Sequence, residues 1–198
     1  MALTLVFLVV TNFNHQRKER KSTSYHESAH ALTMMATGMG FGVASIGKNA
    51  HVHGQISFQE VHYRINRTDS TAVIHTDDEH TRNMLMVMVA GYVAEAELAG
   101  LSGLNNNLKN IEGSDLQRAD DILDKNPHLY ACTSKKKYLN EIISETKGVL
   151  ARHHDLHLLM SKELHASNTL SEEKAWELAV KSNSTLTHNP YLANLAFS

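Results

Sequence analysis

Several residue types that would support other classes of protein are scarce in this chain. It has one cysteine, Cys132, which excludes an internal disulfide and a zinc site built from cysteines. Only two prolines and few aromatic residues occur, and this composition favours helices over a β-sandwich or a β-barrel. The formal net charge of −2 lacks the basic surplus typical of nucleic-acid-binding domains. We therefore expect a helical protein of the cytoplasm, a reducing compartment, that binds no nucleic acid.

The chain also lacks an apolar run long enough to cross a membrane. Residues 1–10 are apolar, but ten residues of helix span only about 15 Å, and a bilayer needs about 20 residues. A basic cluster, Arg17–Lys21, follows this run. Segment 1–21 is therefore either a buried strand or docking segment, or a peripheral contact with a membrane.

Apolar residues at helical spacing predict a mainly α fold. The predicted helices are Ser22–Thr37, Glu79–Leu98, Ser114–Asp124, Lys135–His154 and Ser171–Ser182, with Leu156–Leu164 joining the last two. Oxygens of Ser22, Thr23 and Ser24 are expected to cap the first helix. Strand-like pieces at Val43–Ile46 and His51–Phe58 predict a small β element between the first two core helices, and Val61, Tyr63 and Ile65 suggest a further strand.

The run His26-Glu27-Ser28-Ala29-His30 is an H-E-x-x-H motif at the start of the first predicted helix. Histidines four residues apart lie on one face of a helix, so both imidazoles can bind the same zinc ion. The carboxylate of Glu27 can take a proton from a water bound to that ion. Because the chain has 14 histidines, the alternative is a chance match with one solvated and one buried histidine. The helical context favours two zinc ligands and a base.

A catalytic zinc ion usually has three protein ligands and one open position, so a third ligand is needed. Asp115 opens a predicted helix after a polar loop, and it is either this ligand or an ordinary helix N-cap. Glu95 falls near the buried face of the second core helix, where an unpartnered carboxylate is costly. Glu95 is therefore the alternative ligand, or it holds a histidine by its second ring nitrogen. Glu97 is expected to be solvated.

Three motifs, in order along the chain, resemble those of the FtsH family, the membrane-anchored AAA+ zinc proteases. Tyr25–Leu32 resembles the family's YHEAGHAL run, Ala90–Glu97 resembles its GGRxAEE segment, and Gly113–Ala119 resembles its ASNDIxxA segment. The strand-like stretch Ile46–Phe58 corresponds to the family's short β element, and Lys135–Leu178 resembles its C-terminal helical pair. Three ordered motifs are far more specific than the pentapeptide alone.

The resemblance implies a role for each matching residue. His26 and His30 match the histidine ligands of zinc, and Asp115 matches the aspartate that is the third ligand. Glu27 matches the catalytic base, and Glu95 matches a glutamate close to the site. The resemblance therefore implies a complete zinc-binding catalytic centre.

It also implies an activity and partners. The expected protein is a zinc endopeptidase with a helical metallopeptidase domain at residues 22–182 and a tail at 183–198. Its substrates would be unfolded proteins or peptides. The resemblance implies assembly as a homo-hexamer or action with a separate AAA+ ATPase partner. No ATPase of its own is expected, because Gly42–Lys48 resembles a phosphate-binding loop but Asn49 stands where Ser or Thr is required.

The chain departs from the family pattern at several positions. Ala29 replaces a glycine, Tyr92 replaces the arginine of GGR, and Ser114 replaces an asparagine. The stretch Ile122–Thr133 lacks the usual W-G-M/F element. These departures leave an alternative open, a non-catalytic, zinc-stabilised binding module that associates with or regulates a full-length FtsH-type protease.

Overall fold

The computed structural model describes residues 20–47, 55–56, 77–100 and 114–188, and these are mainly helical, as predicted. The helices are α1 (20–36), α2 (Asp77–Leu98), α3 (Asp115–Lys125), α4 (Lys135–Arg152), α5 (His154–Ser167) and α6 (Glu172–Lys181). Short 3₁₀ helices occupy Pro127–Tyr130 and Thr185–His188. Helix α2 packs against α3 and α4, and its central turns are buried.

A small antiparallel sheet accompanies the helices. Its strands are β1 (Val43–Ser45), β2 (Gln55–Ile56) and β3 (Thr169–Ser171), in the order β2-β1-β3. Ala44 lies opposite Ile56 on one side and Leu170 on the other. The predicted β element between the first two core helices is therefore confirmed. Strand β3 was not predicted, because three residues are too few to show a period of two.

Helix α1 is buried over most of its circumference, which places it in the core. Its apolar residues Ala29, Ala31, Leu32, Met34 and Met35 are almost fully buried. The predicted capping role of Ser22, Thr23 and Ser24 is wrong, because these residues lie inside the helix. The Ser24 hydroxyl instead donates to the Arg20 carbonyl at 2.7 Å, a bond back to the preceding turn.

The C-terminal region contains one more helix than predicted. Leu156–Leu164 lies within α5 and does not form a connection. A single non-helical residue, His153 (φ −116°, ψ 30°), separates α4 from α5, and the sequence there has no glycine or proline to signal a break. Helix α5 ends at Asn168, whose left-handed backbone (φ 67°) turns the chain into β3.

Some predictions fall outside the described residues. These are the role of residues 1–19, the strand pieces at 51–54 and around Tyr63, the polar loop 101–113 and the tail beyond 188. In the ranges that are described, no helix combines the length and the apolar character needed to span a bilayer.

Candidate metal centre

The structure brings His26, His30 and Asp115 together. The two histidines project from successive turns of α1, and Asp115 is the first residue of α3. Oδ2 of Asp115 lies 3.2 Å from Nε2 of His30 and 3.6 Å from Nε2 of His26. One ligand atom from each of the three residues lies within 4.8 Å of the others. The spacing of the motif thus places both imidazoles against one carboxylate.

Asp115 is available for this role because its neighbour caps the helix. The Ser114 side chain accepts a hydrogen bond from the Gln117 amide at 3.2 Å, so Ser114 is the N-cap of α3. Asp115 therefore has helical backbone but no capping duty, and the N-cap alternative for Asp115 is wrong. Its second oxygen, Oδ1, lies 3.5 Å from Arg118 one turn later.

His30 is held in one orientation by the backbone of α2. Its Nδ1 lies 2.7 Å from the Val87 carbonyl oxygen, which can only accept a hydrogen bond. Nδ1 must therefore carry a proton and donate it to Val87. In the neutral ring, the lone pair is then on Nε2, the atom that faces Asp115. A carbonyl in this position fixes the tautomer that a metal ligand needs.

His26 is held in a similar way by a carboxylate. Its Nδ1 lies 3.4 Å from Oε1 of Glu95, and the Ser22 hydroxyl donates to the same oxygen at 3.4 Å. Glu95 thus lies on the side of the ring opposite Asp115. Of its two predicted roles, this position fits the residue that holds a histidine, and it does not fit the alternative ligand. Glu97 is exposed, as predicted.

The metal-free site is strongly polarised. Burial acts to lower the pKa of His26, but hydrogen bonds with Asp115 and Glu95 raise it to about 10. Burial acts to raise the pKa of Asp115, but hydrogen bonds with His26 and His30 hold it well below its usual range. Without a cation, His26 and Asp115 form an ion pair near neutral pH. The positive charge of His26 then balances the carboxylate that a metal cation would otherwise neutralise.

Glu27 is buried beside this pair, with 7% of its surface exposed. Burial raises its pKa, although the charges of His30 and His26 act in the opposite direction. A carboxylate with a raised pKa is a stronger proton acceptor, and its conjugate acid can return the proton. Glu27 therefore has the properties of a general base next to the three grouped residues.

The donor set fits a zinc ion. Two imidazoles and one carboxylate are a common ligand set of catalytic zinc sites. Ligand atoms about 2.1 Å from a tetrahedral zinc ion lie roughly 3.4 Å from one another. The two measured separations from Asp115, 3.2 and 3.6 Å, lie on either side of this value. Among the described residues, this is the group of histidines and acids close enough to share one cation.

Two residues near His26 were missed as functional candidates. Gly91 lies directly against the ring of His26, and the Tyr92 ring meets it edge-on with the centroids 5.3 Å apart. Burial and the charge of Asp115 raise the pKa of the Tyr92 hydroxyl, while Ser114, the cap of α3, acts to lower it. The available signal was a glycine inside a helix that is otherwise unbroken, because such a glycine usually marks a close approach.

Another buried histidine, His157 of α5, packs against α1. Nε2 of His157, on α5, donates to the Tyr25 carbonyl at 2.9 Å, and the two rings are 4.1 Å apart. Within the described part of the chain, Nδ1 of His157 has no hydrogen-bond partner. Burial therefore lowers the pKa of His157 to about 4, even though the Tyr25 carbonyl favours the charged form. This histidine is a core residue.

No protein-family model matches the chain, and no curated protein matches it. Function is therefore inferred from the residues and contacts of the chain itself, together with the ordered motifs of its sequence.

Proposed function

We propose that this chain is a zinc-dependent endopeptidase of the FtsH type. The observation that carries the proposal is the convergence of His26, His30 and Asp115, with Glu27 buried on the same turn of α1. A protein that used zinc only for stability would need the three ligands but would have no use for a buried carboxylate between them.

The proposed roles follow from the positions of the side chains. His26, His30 and Asp115 would hold the ion, and Glu95 and the Val87 carbonyl would keep the two rings in place. When bound, zinc would lower the pKa of a water to about 7 and stabilise negative charge on the scissile carbonyl oxygen. Glu27 would take a proton from the attacking water and deliver it to the leaving amine.

The substrate class and the partners rest on the resemblance in the sequence. Three motifs in family order support cleavage of unfolded proteins or peptides. The same resemblance supports a homo-hexamer or action with a separate AAA+ ATPase. The single cysteine supports a reducing compartment, the cytoplasm, and the basic cluster Arg17–Lys21 supports a membrane contact through residues 1–21. An ATPase partner would be needed to unfold and deliver folded substrates.

The test is cleavage of unfolded casein by the zinc-loaded protein and by its Glu27→Gln variant. Glu27→Gln keeps the size of the side chain but removes the base, so we expect activity to fall about 10²- to 10⁴-fold with one zinc still bound per chain. Glu141→Gln makes the same chemical change at an exposed position of α4 and is the matched control.

Two results would contradict the proposal. Activity in Glu27→Gln equal to that of Glu141→Gln would show that Glu27 is not the base. If the wild-type chain bound one zinc but cleaved no unfolded protein, the enzyme would be ruled out, and the zinc-stabilised binding module would be the better account.

A further inference from the structure

The ring of His26, on α1, lies directly against α2 at Gly91. A Cβ atom added to Gly91 would overlap Nε2, Cδ2 and Cε1 of that ring. These are the outer atoms of the imidazole, and Nε2 is the atom that faces Asp115. Only glycine therefore leaves room on α2 for the ring in its observed position.

Three neighbours together define this position. The Gly91 backbone lies directly against the His26 ring. The ring of Tyr92 makes a T-shaped contact with the His26 ring, at an interplanar angle of 77°. Oε1 of Glu95 lies 3.4 Å from Nδ1 and limits rotation of the ring about its Cβ–Cγ bond. All three residues lie on one turn of α2, so a single segment sets the orientation of His26.

We propose that Gly91 is a positioning residue that holds the His26 ring in the orientation required for metal binding. The inference rests on the proposed function, because it assigns the ring to a metal. An added methyl group would meet only the outer end of a side chain that can rotate. The ring would swing away from α2 and carry Nε2 away from Asp115, while the helix itself could remain intact.

Glycine in a helix interior lowers stability relative to alanine, so a glycine inside α2 is consistent with a positioning role that offsets this cost. Gly91 is buried between α1 and α2, and a larger residue would otherwise add packing there. A second helical glycine, Gly148 of α4, is exposed and has no atom within 4 Å of an added Cβ. The two glycines therefore form a matched pair with opposite expectations.

The experiment compares Gly91→Ala with Gly148→Ala in the full chain. We expect Gly91→Ala to bind Co²⁺ at least tenfold more weakly than wild type, measured by the visible absorption of the bound ion. In the metal-free protein, ring ¹H–¹⁵N spectra should show shifted signals for His26 and unchanged signals for the exposed His128. Gly148→Ala should match wild type in both measurements.

The remaining outcomes are also decisive. Co²⁺ binding by Gly91→Ala as tight as that of Gly148→Ala, or unshifted His26 signals, would overturn the proposal. If Gly91→Ala does not fold, the double variant Gly91→Ala/His26→Ala decides: a folded double variant supports a collision with the ring, and an unfolded one overturns it. A wild-type chain that binds no Co²⁺ would instead refute the proposed metal centre, and the ring spectra would still test the contact.

Discussion

His26 of α1 and His157 of α5, which packs against Tyr25 of α1, have surroundings that move their pKa values in opposite directions. Both rings are mostly removed from water, and burial acts to lower both values. His26 meets two carboxylates, and its pKa rises to about 10. His157 meets one backbone carbonyl, and its pKa falls to about 4. Burial alone therefore does not distinguish a candidate metal ligand from a core histidine; the partners do.

The comparison also shows where the charge of each region is balanced. Around His26, Asp115 and Glu95 supply negative charge on both sides of the ring, so a cation is favoured there. Around His157, the ring packs on Tyr25 and a charge would be uncompensated. The surroundings of His26 thus favour a positive charge, and the surroundings of His157 disfavour one.

The largest expected effect is loss of the carboxylate shared by both candidate ligands. We predict that Asp115→Asn weakens zinc binding by about a thousandfold, because removing one partner of a buried charged group typically costs 3–5 kcal/mol. The pKa of His26 in the metal-free protein should fall from about 10 at the same time. Competition with a chromophoric chelator measures the affinity, and Asp121→Asn at an exposed position of α3 is the control.

Unchanged zinc affinity in Asp115→Asn would show that zinc binding by His26 and His30 does not need the Asp115 carboxylate. That carboxylate would then no longer distinguish the surroundings of His26 from those of His157. The same result would also make Glu95 the better candidate for the third ligand.

The second prediction concerns His157 and acid. Its pKa is about 4 in the folded state and about 6.5 when unfolded, so the unfolded chain binds more protons between these values. Stability is therefore full above pH 6.5 and declines as pH falls towards 4, by up to roughly 3 kcal/mol. His26, with its raised pKa, contributes in another window: its stabilisation is present below pH 6.5 and is lost as pH rises through about 10.

Urea unfolding of the metal-free protein at several pH values separates these two contributions. His157→Leu should flatten the dependence between pH 6.5 and 4, whereas His80→Asn, at an exposed position of α2, should leave it as in wild type. An equally steep dependence in His157→Leu would show that other groups cause the acid sensitivity.

The smallest effect is expected at the carboxylate behind His26. Glu95→Gln keeps a hydrogen-bond acceptor near Nδ1 but removes its charge, so zinc affinity should fall about 10- to 100-fold. Calorimetric titration with zinc at constant pH measures this, with exposed Glu97→Gln on the same helix as the control. A loss as large as that of Asp115→Asn would instead indicate that Glu95 binds the ion directly.

Much of the fold could be predicted because its long helices carry strong patterns. The apolar run of α2 and the capped start of α3 were located within two residues of their observed ends. The break at His153 and the strand Thr169–Ser171 were not predictable from local sequence, since neither carries a turn signal or a period. The predicted N-cap of α1 at Ser22, Thr23 and Ser24 was wrong because hydroxyl residues also occur inside helices, where they hydrogen-bond to the preceding turn.

The candidate site divides in the same way. The two histidines follow from helical geometry, because a spacing of four residues fixes a common face. The meeting of Asp115 with that face depends on how α3 packs on α1, which the residues alone left open between Asp115 and Glu95. Only the resemblance to a family favoured Asp115. The contact between Gly91 and the His26 ring joins two helices, so the sequence of either helix alone does not predict it.

The hydrogen bonds that clasp α1 to α5 bear on the order in which parts of the protein fold. Arg20 donates to the His165 carbonyl at 3.0 Å, and His157 donates to the Tyr25 carbonyl, so partners lie 145 and 132 positions apart in the chain. Contacts between such distant residues form slowly, because a long loop must close first. A nascent chain already carries His26, His30 and Asp115 when this clasp is still missing. We therefore expect α1 to become rigid only after residues 157–165 have been synthesised, which makes a fully formed metal centre a late product of folding.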